Sequence, residues 1–330
     1  MNPSQNLLVL YTGGTIGMEM TEAGLAPASG FEARLLAEQA LHPERPAPAW
    51  RFRELSPPID SANMRQSHWL AMRDAIVQAV DEDGHDAVLL LHGTDTLAYS
   101  AAALSFLLLG IQVPVVLTGS MLPAGAAGSD AWPNLFGALA ALAEGCLPGV
   151  HLYFADQLLH GARASKLKSE AFDAFAEMQR PRHSQPLEAL PQQLHYRVPR
   201  RAVSLAVQPL YPGLQAAQVR ALLDSGVDAL LVECYGSGTG PADDSELLGV
   251  LREAHERGVV LAAISQCPFG HVDFDVYAAG SALAAIGLAN GGGMTREAAL
   301  GKLFGLLGAG LAQAEVEDLF RFDLCGEMLS

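Results

Sequence analysis

The sequence predicts an α/β fold, with a parallel-sheet N-terminal domain followed by a second α/β domain. Three observations lead to it. Apolar runs of strand length recur along the chain, each nearly continuous instead of alternating, as a parallel strand covered on both faces should be. Helical stretches fall between those runs, and strand-helix alternation of this kind builds parallel sheets. At 330 residues the chain also exceeds the size at which one hydrophobic core keeps growing, so two domains are expected.

Taken in order, the first run is "NLLVLY" at 6–11, followed by "DAVLLLH" at 86–92 and a helical stretch at 97–109, "LAYSAAALSFLLL". "VPVVLTG" at 113–119 and "GVHLYFA" at 149–155 continue the alternation. The stretch from 179 to 201 then breaks it. It carries Pro181, Pro186, Pro191 and Pro199, few consecutive apolar residues and much of the basic charge, and it reads as a linker. The expected division is a domain over 1–180, a linker over 181–201 and a domain over 202–330. In the last part "AVSLAVQP", "VDALLVECY" and "GVVLAAIS" read as strands, with helices at 215–225 and 244–257. No repeat of 20 to 50 residues is apparent.

Composition narrows the function. The formal charge of −16 repels polyanions, so DNA, RNA and anionic membrane are not expected as partners. Cys146, Cys234, Cys267 and Cys325 are widely spaced, with no CxxC pair to suggest zinc or redox exchange. The first six residues hold no basic cluster, and the apolar run after them is too short for a signal peptide or a membrane span. A cytoplasmic protein is the expectation.

The strand runs share a habit of ending in small polar groups: "TGGT" at 12–15, "HGTDT" at 92–96, "TGS" at 118–120 and "ADQ" at 155–157. In an open parallel sheet, ligands bind beyond the carboxyl ends of the strands, so these segments should converge on one crevice. In "TGGT", Gly13 and Gly14 permit a tight turn and close backbone approach, while Thr12 and Thr15 supply hydroxyls. A plain turn would have the same appearance. A phosphate loop would not, because no Lys-Ser or Lys-Thr follows and the spacing is not GxGxxG. In "HGTDT" either Asp95 or Thr96 can cap the following helix. That leaves His92, Thr94 and Asp95 unexplained together, and a threonine hydroxyl beside a carboxylate is material for an activated nucleophile if a base can reach it.

Candidate bases are His92, His68, His85, His271, Lys166 and Lys168. No histidine falls in a metal-binding spacing such as HExxH, and no metal is expected. Lysine is scarce, with Lys166, Lys168 and Lys302 the only three, and a lysine near a carboxylate in a desolvated pocket can work as a base. The GxGxG run in "CYGSGTG" lacks the spacing and the following acidic residue of a dinucleotide loop, so no cofactor is expected there.

"YTGGTIGM" and "LHGTDTLAYSAAALSF" resemble the two signature motifs of the bacterial L-asparaginases, and the chain is similar to their cytoplasmic type I branch. The similarity continues through "SPPIDSANM", "VVLTGSMLPAGAAGSDAWPNL", "GARASKLKSEAFDAFA", "CYGSGTG", "GVVLAAISQC" and "YAAGSAL". The resemblance implies hydrolysis of the asparagine side-chain amide without metal or cofactor, a smaller α/β C-terminal domain, and homodimers or homotetramers with sites near subunit contacts. It implies that Thr15 is the nucleophile, and that Lys166 and Asp95 polarise Thr94 and a neighbouring water. It gives Ser61 the substrate α-carboxylate and Asp95 the α-ammonium, with Ala62, Gly14 and Gly93 lining the substrate.

Three positions depart from the family pattern. Leu25 stands where a tyrosine usually completes the first triad, Thr239 replaces the asparagine of the family's GxGN, and Ala62 follows the binding serine where a polar residue is usual. If Thr15 attacks, another group must orient its proton. Glu19, Thr21 and Glu22 in the loop at 18–29, with Gly24 and Gly30 as hinges, can swing inward, and Tyr277 is a second source. The competing functions are a broader small-amide hydrolase acting on glutamine or D-asparagine, the amidotransferase subunit that shares these motifs, and a catalytically silent amino-acid-binding protein. The strong negative charge counts against the RNA-linked subunit.

Overall fold

The computed structural model describes residues 4–21, 24–178, 180 and 187–328. The chain divides after Glu177 into two compact units.

In the first unit the strands are β1 (Asn6–Gly13), β2 (Met18–Thr21), β3 (Gly24–Pro27), β4 (Ala49–Ile59), β5 (Ala87–Leu91), β6 (Pro114–Thr118), β7 (Gly149–Phe154), β8 (Gln157–His160), β9 (Ala164–Lys166) and β10 (Phe175–Glu177). Its helices are α1 (Phe31–Leu41), α2 (Gln66–Asp81), α3 (Leu97–Leu107) and α4 (Ala131–Glu144). The main sheet has the order β4-β1-β5-β6-β7-β8. All its pairings are parallel except β7 with β8, an antiparallel return at the edge that the sequence reading did not contain. β5 and β6 are buried at every residue, which is why they read as unbroken apolar runs. β4 is half-exposed and mixes Arg51, Arg53 and Glu54 with Trp50 and Phe52, as befits an edge strand. α3 is buried almost throughout.

In the second unit β11 (Leu205–Pro209), β12 (Ala229–Cys234), β13 (Val260–Ser265) and β14 (Ala289–Asn290) form a parallel sheet in chain order. Helices α5 (Ala216–Asp224), α6 (Ser245–Glu256), α7 (Ala278–Ala284), α8 (Arg296–Gly308) and α9 (Gln313–Phe320) accompany it. Its core joins Leu230, Val232 and Leu261 to Val219, Leu223, Leu247 and Leu251. Within the expected linker, residues 181–186 lie outside the described residues. Residues 187–201 are not an exposed tether: Leu194 and Tyr196 are buried, and Arg200 Nε donates to the Gly305 carbonyl at 3.2 Å. The prolines leave this segment one 3₁₀ turn, Gln192–Leu194, with Leu194 and Tyr196 buried.

Among the described residues no helix is long and apolar enough to cross a membrane. One charge cluster is deep inside the second unit. Lys302, fully buried, donates to Glu327 Oε1 at 2.6 Å, to the Phe320 carbonyl at 3.0 Å and to the Phe322 carbonyl. Burial alone would raise the Glu327 carboxyl, but the Lys302 ammonium, Asp323 and nearby N–H donors outweigh it and hold it at about 2. Burial and the neighbouring Glu327 push Asp323 the other way, to about 7.

A carboxyl held low in the folded state stabilises the fold above its ordinary range and loses that contribution as pH falls through its folded value. Glu327→Gln mimics the protonated form. The gap in melting temperature between wild type and this variant is therefore expected to be wide near about pH 5 and to close towards about pH 2. A gap independent of pH over that interval would refute the charge pairing.

Candidate active site

Counting only the parallel strands of the first sheet, in chain order β1, β4, β5, β6 and β7, the spatial order is 2-1-3-4-5. The chain leaves β1, pairs β4 on one side, and returns to pair β5 on the other. Neighbouring strands whose connections run in opposite directions open a crevice at their carboxyl ends. β1 ends in "TGGT" and β5 leads into "HGTDT", so the two segments face one another there by topology alone.

The glycines bring the segments together backbone to backbone. Gly14 has φ +85°, and a Cβ built on it would lie 2.2 Å from the Gly93 nitrogen and 2.4 Å from its Cα. A Cβ on Gly93 would in turn meet Ser61 Oγ at 2.5 Å. Ser61, buried in a short 3₁₀ turn after β4, is tied to the same loop because Thr96 Oγ1 donates to its carbonyl at 2.9 Å. Asp60 Oδ1 accepts from the Ala62 N–H at 3.2 Å and so shapes the turn, while the Ala62 side chain is exposed. Gly14, Gly93 and Ser61 are thus stacked at one point. Thr15 follows directly, half-buried, at the start of a 3₁₀ turn. Thr12 is not free for chemistry, since its hydroxyl donates to the Leu91 carbonyl at 2.9 Å.

Of the candidate bases, Lys166 is the one that meets the threonine. Its Nζ is 3.1 Å from Thr94 Oγ1 and 2.9 Å from Asp95 Oδ1. It arrives on β9, held in register by pairing with Phe175 on β10. Thr94 is buried, Lys166 largely so, and Asp95 is 63 % exposed, so the group has a covered side and an open one. Lys168 is a surface residue paired with Asp173. His68 Nδ1 accepts from the Arg65 N–H at 3.1 Å in the first turn of α2, and His85 Nδ1 contacts the Asn6 carbonyl at 3.2 Å. His92 lies beside the site but fully inside the protein, where burial lowers its imidazole to about 4.

The loop after β6 is ordered by residues that sequence reasoning missed. Asp130 accepts from the Met121 N–H (2.9 Å) and the Leu122 N–H (3.1 Å), and Asn134 Nδ2 donates to the Gly119 carbonyl at 3.0 Å. A Cβ on Gly119 would lie 2.2 Å from the His92 carbonyl oxygen, so this loop packs against "HGTDT" as well. Asp130 and Asn134 lie in "GSDAWPNL" at 128–135, where nothing in their spacing separates them from an ordinary helix start.

The segment expected to be a loop at 18–29 contains a hairpin, β2 with β3, in which Met20 faces Leu25. Leu25 is 48 % exposed. With Met18, Glu19, Met20, Arg34, Pro123, Gly125 and Ala126 it lines a hollow of about 420 Å³. Glu19 is engaged by Arg34 at 3.5 Å. Glu22 and the side chain of Thr21 lie outside the described residues. The base of the hairpin is anchored by Tyr11, whose hydroxyl donates to the Ala28 carbonyl at 2.9 Å and which burial pushes up to about 12. Tyr277 is exposed, in the second unit, at the start of α7.

The ends of the parallel strands thus bring together hydroxyls, a lysine-carboxylate pair and bare glycine backbone. Family models for the asparaginase N-terminal domain and the glutaminase/asparaginase C-terminal domain match residues 6–197 and 205–320, and the chain belongs to the asparaginase family. It is 37% identical to L-asparaginase 1 of Escherichia coli (strain K12), over 98% of each chain. It is 34% identical to the 60 kDa lysophospholipase of Mus musculus, over 99% of this chain and 63% of that protein. The crystal structure of L-asparaginase I from Vibrio cholerae superposes with a TM-score of 0.84 at 33% identity, over 99% of each chain.

Proposed function

We propose that this chain hydrolyses the side-chain amide of L-asparagine to L-aspartate and ammonia, with Thr15 as the nucleophile. The observation that carries the reading is the contact of Lys166 with both Thr94 and Asp95, next to the point where the "TGGT" backbone packs on Gly93. Amide hydrolysis needs a nucleophile, a proton relay and donors for the developing oxyanion, and this arrangement offers each. The Thr15 oxygen bonds to the amide carbon, its proton passes to the departing nitrogen, and ammonia leaves as the C–N bond breaks. Water, polarised by Thr94, Lys166 and Asp95, then attacks the ester. Its proton returns to Thr15, and aspartate is released. Ser61 takes the substrate α-carboxylate and Asp95 the α-ammonium, with Gly14, Gly93 and Ala62 around them. No cofactor or metal enters these steps.

A coupled ammonia assay across L-Asn, D-Asn, L-Gln and asparaginyl dipeptides tests this, with L-Asn expected to be the preferred substrate. Ammonia from another amide in preference would indicate a broader amide hydrolase. Fatty acid released from a lysophospholipid, with no ammonia, would turn the reading towards the mouse relative. No product from any of them would indicate a silent amino-acid-binding protein. The proposal includes a cytoplasmic protein that self-associates as a homodimer or homotetramer, which light scattering on the eluted protein checks.

Asp95→Asn removes the charge that pairs with the substrate ammonium. Calorimetric affinity for aspartate is expected to fall by about 1.5 to 3 kcal/mol, the range for a hydrogen bond to a charged group. An unchanged affinity would refute this role.

Leu25 leaves the relay without the family's hairpin tyrosine. Leu25→Tyr is expected to raise kcat/KM on L-asparagine by about 10-fold, or about 1.4 kcal/mol of transition-state stabilisation. An unchanged or lower value would mean that the hairpin solves the problem with another group.

A further inference from the structure

His92 takes no part in the proposed reaction, yet each nitrogen of its ring has a partner. Nδ1 lies 2.7 Å from the Gly93 carbonyl oxygen and Nε2 lies 2.8 Å from Ser100 Oγ. Ser100 Oγ is also 2.8 Å from Trp69 Nε1. A carbonyl oxygen can only accept and an indole nitrogen can only donate. Burial lowers the imidazole to about 4 and keeps it neutral. The protons then have one arrangement: Trp69 donates to Ser100 Oγ, Ser100 donates to His92 Nε2, and His92 Nδ1 donates to the Gly93 carbonyl.

The far end of this hydrogen-bond chain is Gly93, which packs between Gly14 and Ser61. Gly93 has no side chain and wide backbone freedom. Its carbonyl shares a rigid trans peptide with the Thr94 N–H, and the two point in opposite directions, so turning one turns the other. We propose that His92 is a positioning residue: by holding the Gly93 carbonyl it sets the plane of the Gly93–Thr94 peptide, and with it the direction in which the Thr94 amide and hydroxyl meet the substrate. The Ser100 and Trp69 side chains fix the ring that does the holding. This inference rests on the amide-hydrolase reading above.

The test is steady-state kinetics on L-asparagine for Ser100→Ala, His92→Phe and His92→Asn in the full chain. Ser100→Ala frees the ring without touching the loop, and kcat is expected to fall by about 10-fold, the rate equivalent of one buried hydrogen bond. His92→Phe removes the donor and is expected to lose about 100-fold or more in kcat. His92→Asn keeps an amide N–H where Nδ1 was, and is expected to rescue most of that loss. KM should stay within about 2-fold throughout, because the groups that grip the substrate's α-carbon are unchanged. A role in packing alone would lower thermal stability without separating Asn from Phe in kcat.

If His92→Phe does not fold, the contrast between Ser100→Ala and His92→Asn still decides. Wild-type kcat in Ser100→Ala, or a His92→Asn kcat about 100-fold or more below wild type, overturns the inference while leaving the amide-hydrolase reading in place. A wild-type protein that releases no ammonia from any amide overturns both.

Discussion

Thr94→Val and Lys166→Met are each expected to lower kcat on L-asparagine by about 10³ or more while leaving the melting temperature close to wild type. Valine fills the space of threonine and methionine follows the path of the lysine stem, so each substitution removes one polar function with little change of shape. The two side chains are in direct contact at 3.1 Å, and Asp95 completes the group from the other side of Nζ at 2.9 Å. A relay with one member missing passes no proton, whichever member it is. The double variant should therefore lose little beyond either single variant, as residues that act as a unit do. Losses that multiply to about 10⁶ would show two independent contributions.

Gly14→Ala is expected to be the most damaging substitution of a single methyl group near the site. Part of its cost is conformational, since φ +85° with ψ 176° is a region essentially confined to glycine, and an alanine there is strained by about 1–3 kcal/mol. The rest is contact. The added carbon would sit 2.2 Å from the Gly93 nitrogen and 2.6 Å from the His92 carbonyl carbon, and neither is a side chain that can rotate away. Gly30 is the reference for a positive φ without contact: it has φ +84° in the milder left-handed region, ψ 21°, with nothing within 4 Å of its Cβ position. In urea unfolding, Gly30→Ala should cost about 1 kcal/mol and Gly14→Ala about 3 kcal/mol or more. Gly14→Ala should also lower kcat/KM by about 100-fold, by driving "TGGT" away from "HGTDT". Equal costs at the two positions would mean that the loops part without resistance.

The strands buried along their length were legible because such strands have to be apolar nearly throughout, as β1, β5, β6, β12 and β13 are. The edges of the first sheet and the short hairpins were not. β4 mixes charge with aromatics and carries Pro57 and Pro58, which an edge strand tolerates where no neighbour needs the N–H. The β2–β3 and β9–β10 hairpins are too short to show a period. At the site, "TGGT" and "HGTDT" could be brought together from the rule for strand ends. Lys166 is 71 residues from Asp95 and could be reached only through its rarity and the family resemblance. The hold of His92 on Gly93 was invisible, because it depends on Ser100 one helical face away and on Trp69 from a different helix.

The buried cluster around Lys302 bears on how the protein is made. A chain ending at Leu319 contains Lys302 but not the carbonyls of Phe320 and Phe322 or the carboxylate of Glu327. Until those arrive, burying the ammonium costs more than it returns. The second unit thus has a step in its assembly that waits for residues 320–327. A stop codon shortly before residue 327 removes none of the residues assigned to chemistry, and it should still cost the cell most of the protein.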